Sequence, residues 1–153
     1  MVRDIYKGRI VNLRIERVTL PNGTVVDLEL VRLCAENASE ERRQRILKLA
    51  VDGRAFHHDP VAFRLLDIEF HQAINDGAGN RLLSALAQGL YDAGHLARQT
   101  ANLQPDVVEA LRQHCEVADA MIARDADAAV AAYRRHLEHV RDTTIDSMHA
   151  ARP

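Results

Sequence analysis

From about residue 27 onward the apolar positions of this 153-residue chain recur with a period of 3.6, and that periodicity limits the fold to packed helices. Before it the period is two. Val11, Leu13 and Ile15, then Val18 and Leu20, lead into Pro21-Asn22-Gly23 and Thr24-Val25-Val26. Asn-Gly after an alternating β-branched run is a hairpin signal, so strands are expected near 8–20 and 24–28, although Leu28, Leu30, Val31 and Cys34 could equally start a helix at the end of the second strand. The breaks inside the helical part are explicit. Ser39-Glu40-Glu41 places an N-cap before acidic first-turn residues, and Asp59-Pro60 puts a cap before a proline at the first helical position. Gly77-Ala78-Gly79-Asn80 ends one helix, Gln104-Pro105-Asp106 starts another, and Asp125 caps the last. The expectation is a mainly α chain: an antiparallel bundle of about six helices over 27–150, preceded by a short N-terminal β-hairpin over 1–26.

At 17.1 kDa the chain has length for one domain with a substantial core and too little for two. A composition 47% hydrophobic and 27% charged excludes a disordered chain. No apolar run approaches the roughly 18 residues of a membrane span, and Met1-Val2-Arg3-Asp4 does not open a signal peptide, so a cytoplasmic protein without membrane contact is expected. Cys34 and Cys115 form no C-x-x-C pair, which reads as two buried free thiols. The net charge is −2, with five basic and two acidic side chains in residues 1–26 and a mildly acidic remainder. That distribution is not a nucleic-acid footprint, and no direct DNA binding by this chain is expected.

Histidine is the unusual entry in the composition: eight, against three Tyr, three Phe and no Trp. In the helix from residue 60, Phe63, Leu66, Phe70, Ala73 and Ile74 form the inward stripe, and Asp67 sits on it. His71 follows Asp67 by four residues and projects from the same side, one turn on. In the helix from 105, His114 lies between Leu111 and Ala118 on the stripe that Val107, Met121 and Ile122 complete. In the last helix His136 shares the face of Ala129, Tyr133, Leu137 and Val140, whereas His139 is placed on the wetter side with Arg135 and Asp142. Any one buried histidine is explained by a hydrogen bond in the core. An aspartate and three histidines aimed inward from three helices must each be desolvated, and one divalent metal ion satisfies all four. Asp67, His71, His114 and His136 are therefore the candidate ligands, and three nitrogens with one oxygen suit zinc or nickel. His57, His58, His95, His139 and His149 are left as loop or surface residues.

These residues also carry a resemblance. Val31-Arg32-Leu33-Cys34-Ala35-Glu36-Asn37-Ala38-Ser39, Leu66-Asp67-Ile68-Glu69-Phe70-His71 with Gly79-Asn80, His114, and Asp125-Ala126-Asp127-Ala128-Ala129 running into Arg135-His136-Leu137 resemble the ligand-binding FCD domain (FadR C-terminal domain) of GntR-family bacterial transcription regulators. The resemblance covers residues 27–150 and implies an all-helical bundle. It implies that the Asp and three His hold a metal ion, that a small carboxylate effector binds beside or on it, and that the domain forms a homodimer. Arg32, Arg64 and Arg98 are candidate cations for that carboxylate, which the resemblance does not fix. Family members carry a winged helix ahead of this domain, for which the first 26 residues are too short. Those residues, Ile5-Tyr6-Lys7-Gly8-Arg9-Ile10-Val11 through Leu20-Pro21-Asn22-Gly23, resemble instead the opening hairpin of ADP-ribose pyrophosphatases of the Nudix family, without the Nudix catalytic box. The expected function is an effector sensor and not an enzyme.

Two other readings stay open at this point. A metal-dependent helical-bundle enzyme, DinB-like or a hydrolase, would activate water at an open coordination position, with Glu69 or Glu116 the carboxylates nearest in sequence. A purely structural bundle would keep its histidines as hydrogen-bonded core residues.

Overall fold

The helix boundaries follow from local capping chemistry. The Ser39 hydroxyl accepts from the Arg42 N–H, one Asp59 oxygen accepts from the N–H groups of Val61 and Ala62, Asp106 accepts from Glu109, and Asp125 from Ala128. The computed structural model describes residues 3–7, 12–15, 25–100 and 105–150. Its helices are α1 (Val26–Asn37), α2 (Glu40–Asp52), α3 (Pro60–Gly77), α4 (Arg81–Thr100), α5 (Val107–Ala123) and α6 (Ala126–Ala150), with a 3-10 turn at Gly53–Phe56. Gly79, at φ +70°, makes the left-handed step between α3 and α4.

The expected hairpin does not stand where the sequence put it. Residues 26–28, read as the second strand, are the first turn of α1, and Asn22-Gly23 lies outside the described residues. Val25 is extended, and the helix then takes over because Val26, Leu30, Val31 and Cys34 fall on a helical stripe that is completely buried. Packing overrides the β preference of a Val-Val pair. The described backbone before the bundle consists of Arg3–Lys7 (β1) and Asn12–Ile15 (β2), antiparallel with Arg3 opposite Ile15 and Lys7 opposite Asn12.

Helix α1 is the axis of the bundle, packed against α3, α4, α5 and α6. Burying each of Leu30 and Val31 contributes about 1.5–3 kcal/mol, and Phe70, Ile74, Val117 and Met121 extend the same core. Arg43 is fully buried, and its guanidinium donates to the Ala38 carbonyl at the end of α1 and to Glu40. Two residues, Arg124 and Asp125, join α5 to α6, with Arg124 left-handed at φ 56°. That short link makes the two helices an antiparallel pair, which brings His114 to face His136.

Candidate metal centre

Four helices meet at the histidines. Asp67 and His71 come from α3, His114 from α5, His136 from α6, and α4 adds Tyr91. His71, His114 and His136 are 7%, 2% and 3% exposed, and one donor nitrogen of each lies within 4.8 Å of the others. The Asp67 Oδ1 sits 3.5 Å from His71 Nε2 and 3.4 Å from His114 Nε2. All four residues expected to converge do so.

The outer contacts orient the rings. His136 Nδ1–H donates to Gln113 Oε1 at 2.9 Å, and the Gln113 amide donates in turn to Glu109 at 2.8 Å. His71 Nδ1 bonds the Tyr133 hydroxyl at 2.7 Å. The Tyr91 hydroxyl donates to Asp67 Oδ2, leaving Oδ1 turned to the two imidazoles. Phe70 stacks on His114 with centroids 4.2 Å apart, and Phe63 lies 6.2 Å away on a parallel plane. His114 Nε2 is buried with no hydrogen-bond partner. An orphaned ring nitrogen beside a carboxylate oxygen and two further imidazoles is what a cation-binding set leaves behind.

The protonation states agree with that reading. Burial lowers His114 to about 3 against the pull of Asp67, and burial with the neighbouring His114 takes His136 well below the usual imidazole range. Burial acts to raise Asp67, but His71, His114 and the Tyr91 hydroxyl outweigh it and hold the carboxyl well below the usual range. Neutral imidazoles and an ionised carboxylate are the ligand forms of these groups.

A cavity of about 230 Å³ opens from the cluster. Asp67, His71 and His136 line it together with Arg98, Asp106, His139 and the α6 hydroxyl residues. A smaller cavity over Asp67 is lined by Arg64, His95, Arg98 and Gln99. Arg64 and Arg98 are therefore beside the cluster, and Arg98 borders both spaces. Arg32 does not line either one: it is held on the surface of α1 by Glu29 and Glu36, one turn to each side.

Two histidines read as surface residues are half-buried at these cavities. His95 stacks on Tyr91 and accepts from Gln99 at 3.2 Å, and His139 turns its Nε2 inward. His57 and His58 are exposed, and the side chain of His149 lies outside the described residues. Sequence reading also missed Tyr91, Gln113, Tyr133 as a ring-orienting group, and Asp27, a cavity-lining carboxyl that burial raises. The one signal available for Gln113 was its place four residues after Glu109 and next to His114. Of the carboxylates considered for an enzyme, Glu69 is exposed and Glu116 is paired with Arg112 and Arg135.

Residues 24–139 match the FCD domain family. Over 115 residues the chain is 31% identical to the HTH-type transcriptional repressor NanR of Cronobacter sakazakii, covering 72% of this chain and 44% of that protein. It is 30% identical over 118 residues to the repressor of the same name in Escherichia coli strain K12, covering 74% and 44%. The chain thus spans less than half the length of these curated relatives, which are transcription regulators and not enzymes. Among solved structures it is similar to the metal-free FCD domain of TM0439, a candidate transcriptional regulator, with a TM-score of 0.64 at 22% identity over 82% of this chain and 86% of that one. With the match spanning most of the bundle, the chain belongs to the FCD domain family of GntR-type transcription regulators.

Proposed function

We propose that this chain is the sensing domain of a transcription regulator, in which Asp67, His71, His114 and His136 hold one divalent metal ion, zinc or nickel, and a small carboxylate effector binds in the adjoining cavity. The observation that carries the reading is the convergence of three buried imidazoles on Asp67 with His114 Nε2 left unpartnered. When bound, the ion supplies a positive coordination centre for an oxygen ligand. The chain's own residues do the rest. Gln113 and Tyr133 orient His136 and His71, Tyr91 holds Asp67, and Phe63 and Phe70 keep water from His114. Arg98 and Arg64 supply cationic charge at the cavity wall for the effector carboxylate.

A homodimer is part of the proposal. Leu82 and Leu86, one turn apart on α4, are 79% and 42% exposed, an apolar stripe suited to a self-complementary two-fold contact. The effector acts by favouring one arrangement of the two sensing domains over another. No helix among the described residues is long and apolar enough to cross a membrane, which agrees with a cytoplasmic regulator. DNA recognition is assigned to a separate domain of the kind implied by the name of the relatives, and not to this bundle.

The test is metal analysis of protein purified without a histidine tag. About one equivalent of zinc or nickel per chain is expected, falling at least several-fold in His114→Ala. A panel of carboxylates should then raise the melting temperature of the loaded protein. Metal-free protein that also refuses added zinc overturns the metal assignment; a loaded protein that answers no carboxylate overturns the effector assignment.

A further inference from the structure

The cavity beside the histidines has a second polar end that the metal reading does not use. Along α6, His136, Val140, Thr143, Thr144 and Ser147 share one side, so the cavity wall follows that helix for about three turns, or about 16 Å between the first and last Cα. The start of α5 closes this part with Pro105 and Asp106. His139 stands here: its Nε2 is buried, lies 3.5 Å from Asp106 Oδ2, and makes no hydrogen bond. Asp106 Oδ1 is already engaged as the N-cap of α5, accepting from Glu109, so Oδ2 is the oxygen free to face the cavity.

The two threonine hydroxyls beside them have their protons committed. Thr143 donates to the carbonyls of His139 and Val140, at 2.9 and 3.2 Å, and Thr144 donates to Val140 at 2.6 Å. A threonine hydroxyl that has spent its one proton on its own helix can only accept from a third group. Asp106 Oδ2 is likewise an acceptor and carries negative charge. Around His139 the wall therefore offers acceptors, the Asp106 carboxylate and the two threonine oxygens, with the Ser147 hydroxyl one turn further along α6. A ligand end that brings only acceptors, a second carboxylate above all, meets repulsion and unpaired lone pairs there; an alkyl end leaves His139 and Asp106 desolvated without a partner.

Resting on the reading of this cavity as the effector site, we infer that His139 and Asp106 are its specificity-determining pair, selecting a small monocarboxylate whose far end carries hydrogen-bond donors, a hydroxyl or an ammonium group. In this arrangement the neutral His139 ring carries its proton on Nδ1, so that Nε2 and Asp106 Oδ2 both accept from the ligand's donor, while the carboxylate lies at the metal and Arg98 end. The buried His139 Nε2, left unpaired by the wrong ligand, discriminates more sharply than apolar contacts do, and the Asp106 charge beside it adds to that selection.

Four six-carbon probes test this on the zinc-loaded chain by calorimetry: D-gluconate, 6-aminohexanoate, hexanoate and adipate. Gluconate or 6-aminohexanoate should bind at least roughly tenfold more tightly than hexanoate and adipate, and which of the two binds identifies the donor as hydroxyl or ammonium. His139→Ala should erase that preference and His139→Gln, which keeps a hydrogen-bonding group, should restore part of it. Asp106→Asn still caps α5 and should relax the rejection of adipate without loss of fold. Hexanoate or adipate binding as tightly as the donor-bearing probes, or a preference unchanged in His139→Ala and Asp106→Asn alike, overturns the specificity pair and leaves the effector site standing. Failure of all four probes to bind overturns both.

Discussion

The Gln113 amide fixes the His136 ring. Its oxygen can only accept, so the 2.9 Å contact requires the proton on His136 Nδ1 and leaves Nε2 with its lone pair toward the cluster. Gln113 is held in turn by Glu109 and is 3% exposed, so the arrangement cannot relax by turning to water.

Gln113→Leu should weaken zinc binding roughly 10- to 100-fold without removing a ligand, because the His136 ring loses its orienting acceptor. Competition with a chelating dye measures it. Affinity equal to the parent chain would show that His136 is positioned by packing alone.

The metal-free chain should be acid-labile. In the unfolded chain histidine titrates near 6.5, whereas burial holds His114 at about 3 in the fold. Between those values the unfolded chain binds more protons, so stability falls as pH falls; at pH 5 His114 alone removes about 2 kcal/mol relative to pH 7.5. His136 acts in the same direction, as does Asp67 at still lower pH, since its depressed carboxyl stabilises the fold only while ionised. Thermal melts after chelation, at pH 7.5 and 5, check this. A melting temperature that does not drop shows that His114 takes up its proton as readily in the fold as outside it.

Gly77→Ala should destabilise the bundle by about 1–3 kcal/mol even though alanine favours helix. A Cβ there would lie 2.5 Å from Cys34 Sγ, and Cys34 is fully buried with no room to withdraw. Adding Cys34→Ala should return most of the loss, since the clash leaves with the sulfur. Urea denaturation of the two single variants and the double one measures the coupling, and strictly additive effects would rule the contact out as the cause.

Cys34 should resist alkylation. Burial pushes its thiol up to about 12, so at pH 8 the thiolate is on the order of one part in ten thousand. Iodoacetamide followed by peptide mapping should label Cys34 only after unfolding; rapid native labelling would place the sulfur in contact with solvent.

What could be read from the sequence was local. Ser39, Asp59, Asp106 and Asp125 each cap the helix that follows by bonding backbone within three residues, so their meaning is contained in a short window. The ligand candidates were legible because Asp67, His71, His114 and His136 each interrupt an apolar stripe. His139 was not, because it sits on the flank of α6 and meets Asp106, a neighbour 33 positions away in sequence, only in the fold. Tyr91 was hidden for the same reason: only the packing of α4 on α3 brings its hydroxyl to Asp67. Val26 was read as strand, and is helical, because β-branched residues fit either element and only the burial of the α1 stripe decides.

The hydroxyl of Tyr91 on Asp67 makes α4 a lever on the cluster. Any event that draws Asp67 toward a cation or a bound acid must either break that bond or carry Tyr91 along, and Tyr91 sits on the same helix as the exposed Leu82 and Leu86. On the proposed function, occupancy deep in the bundle would reach its outer surface through this one hydrogen bond, and by reciprocity whatever gripped that surface would set how tightly the interior held its ligand.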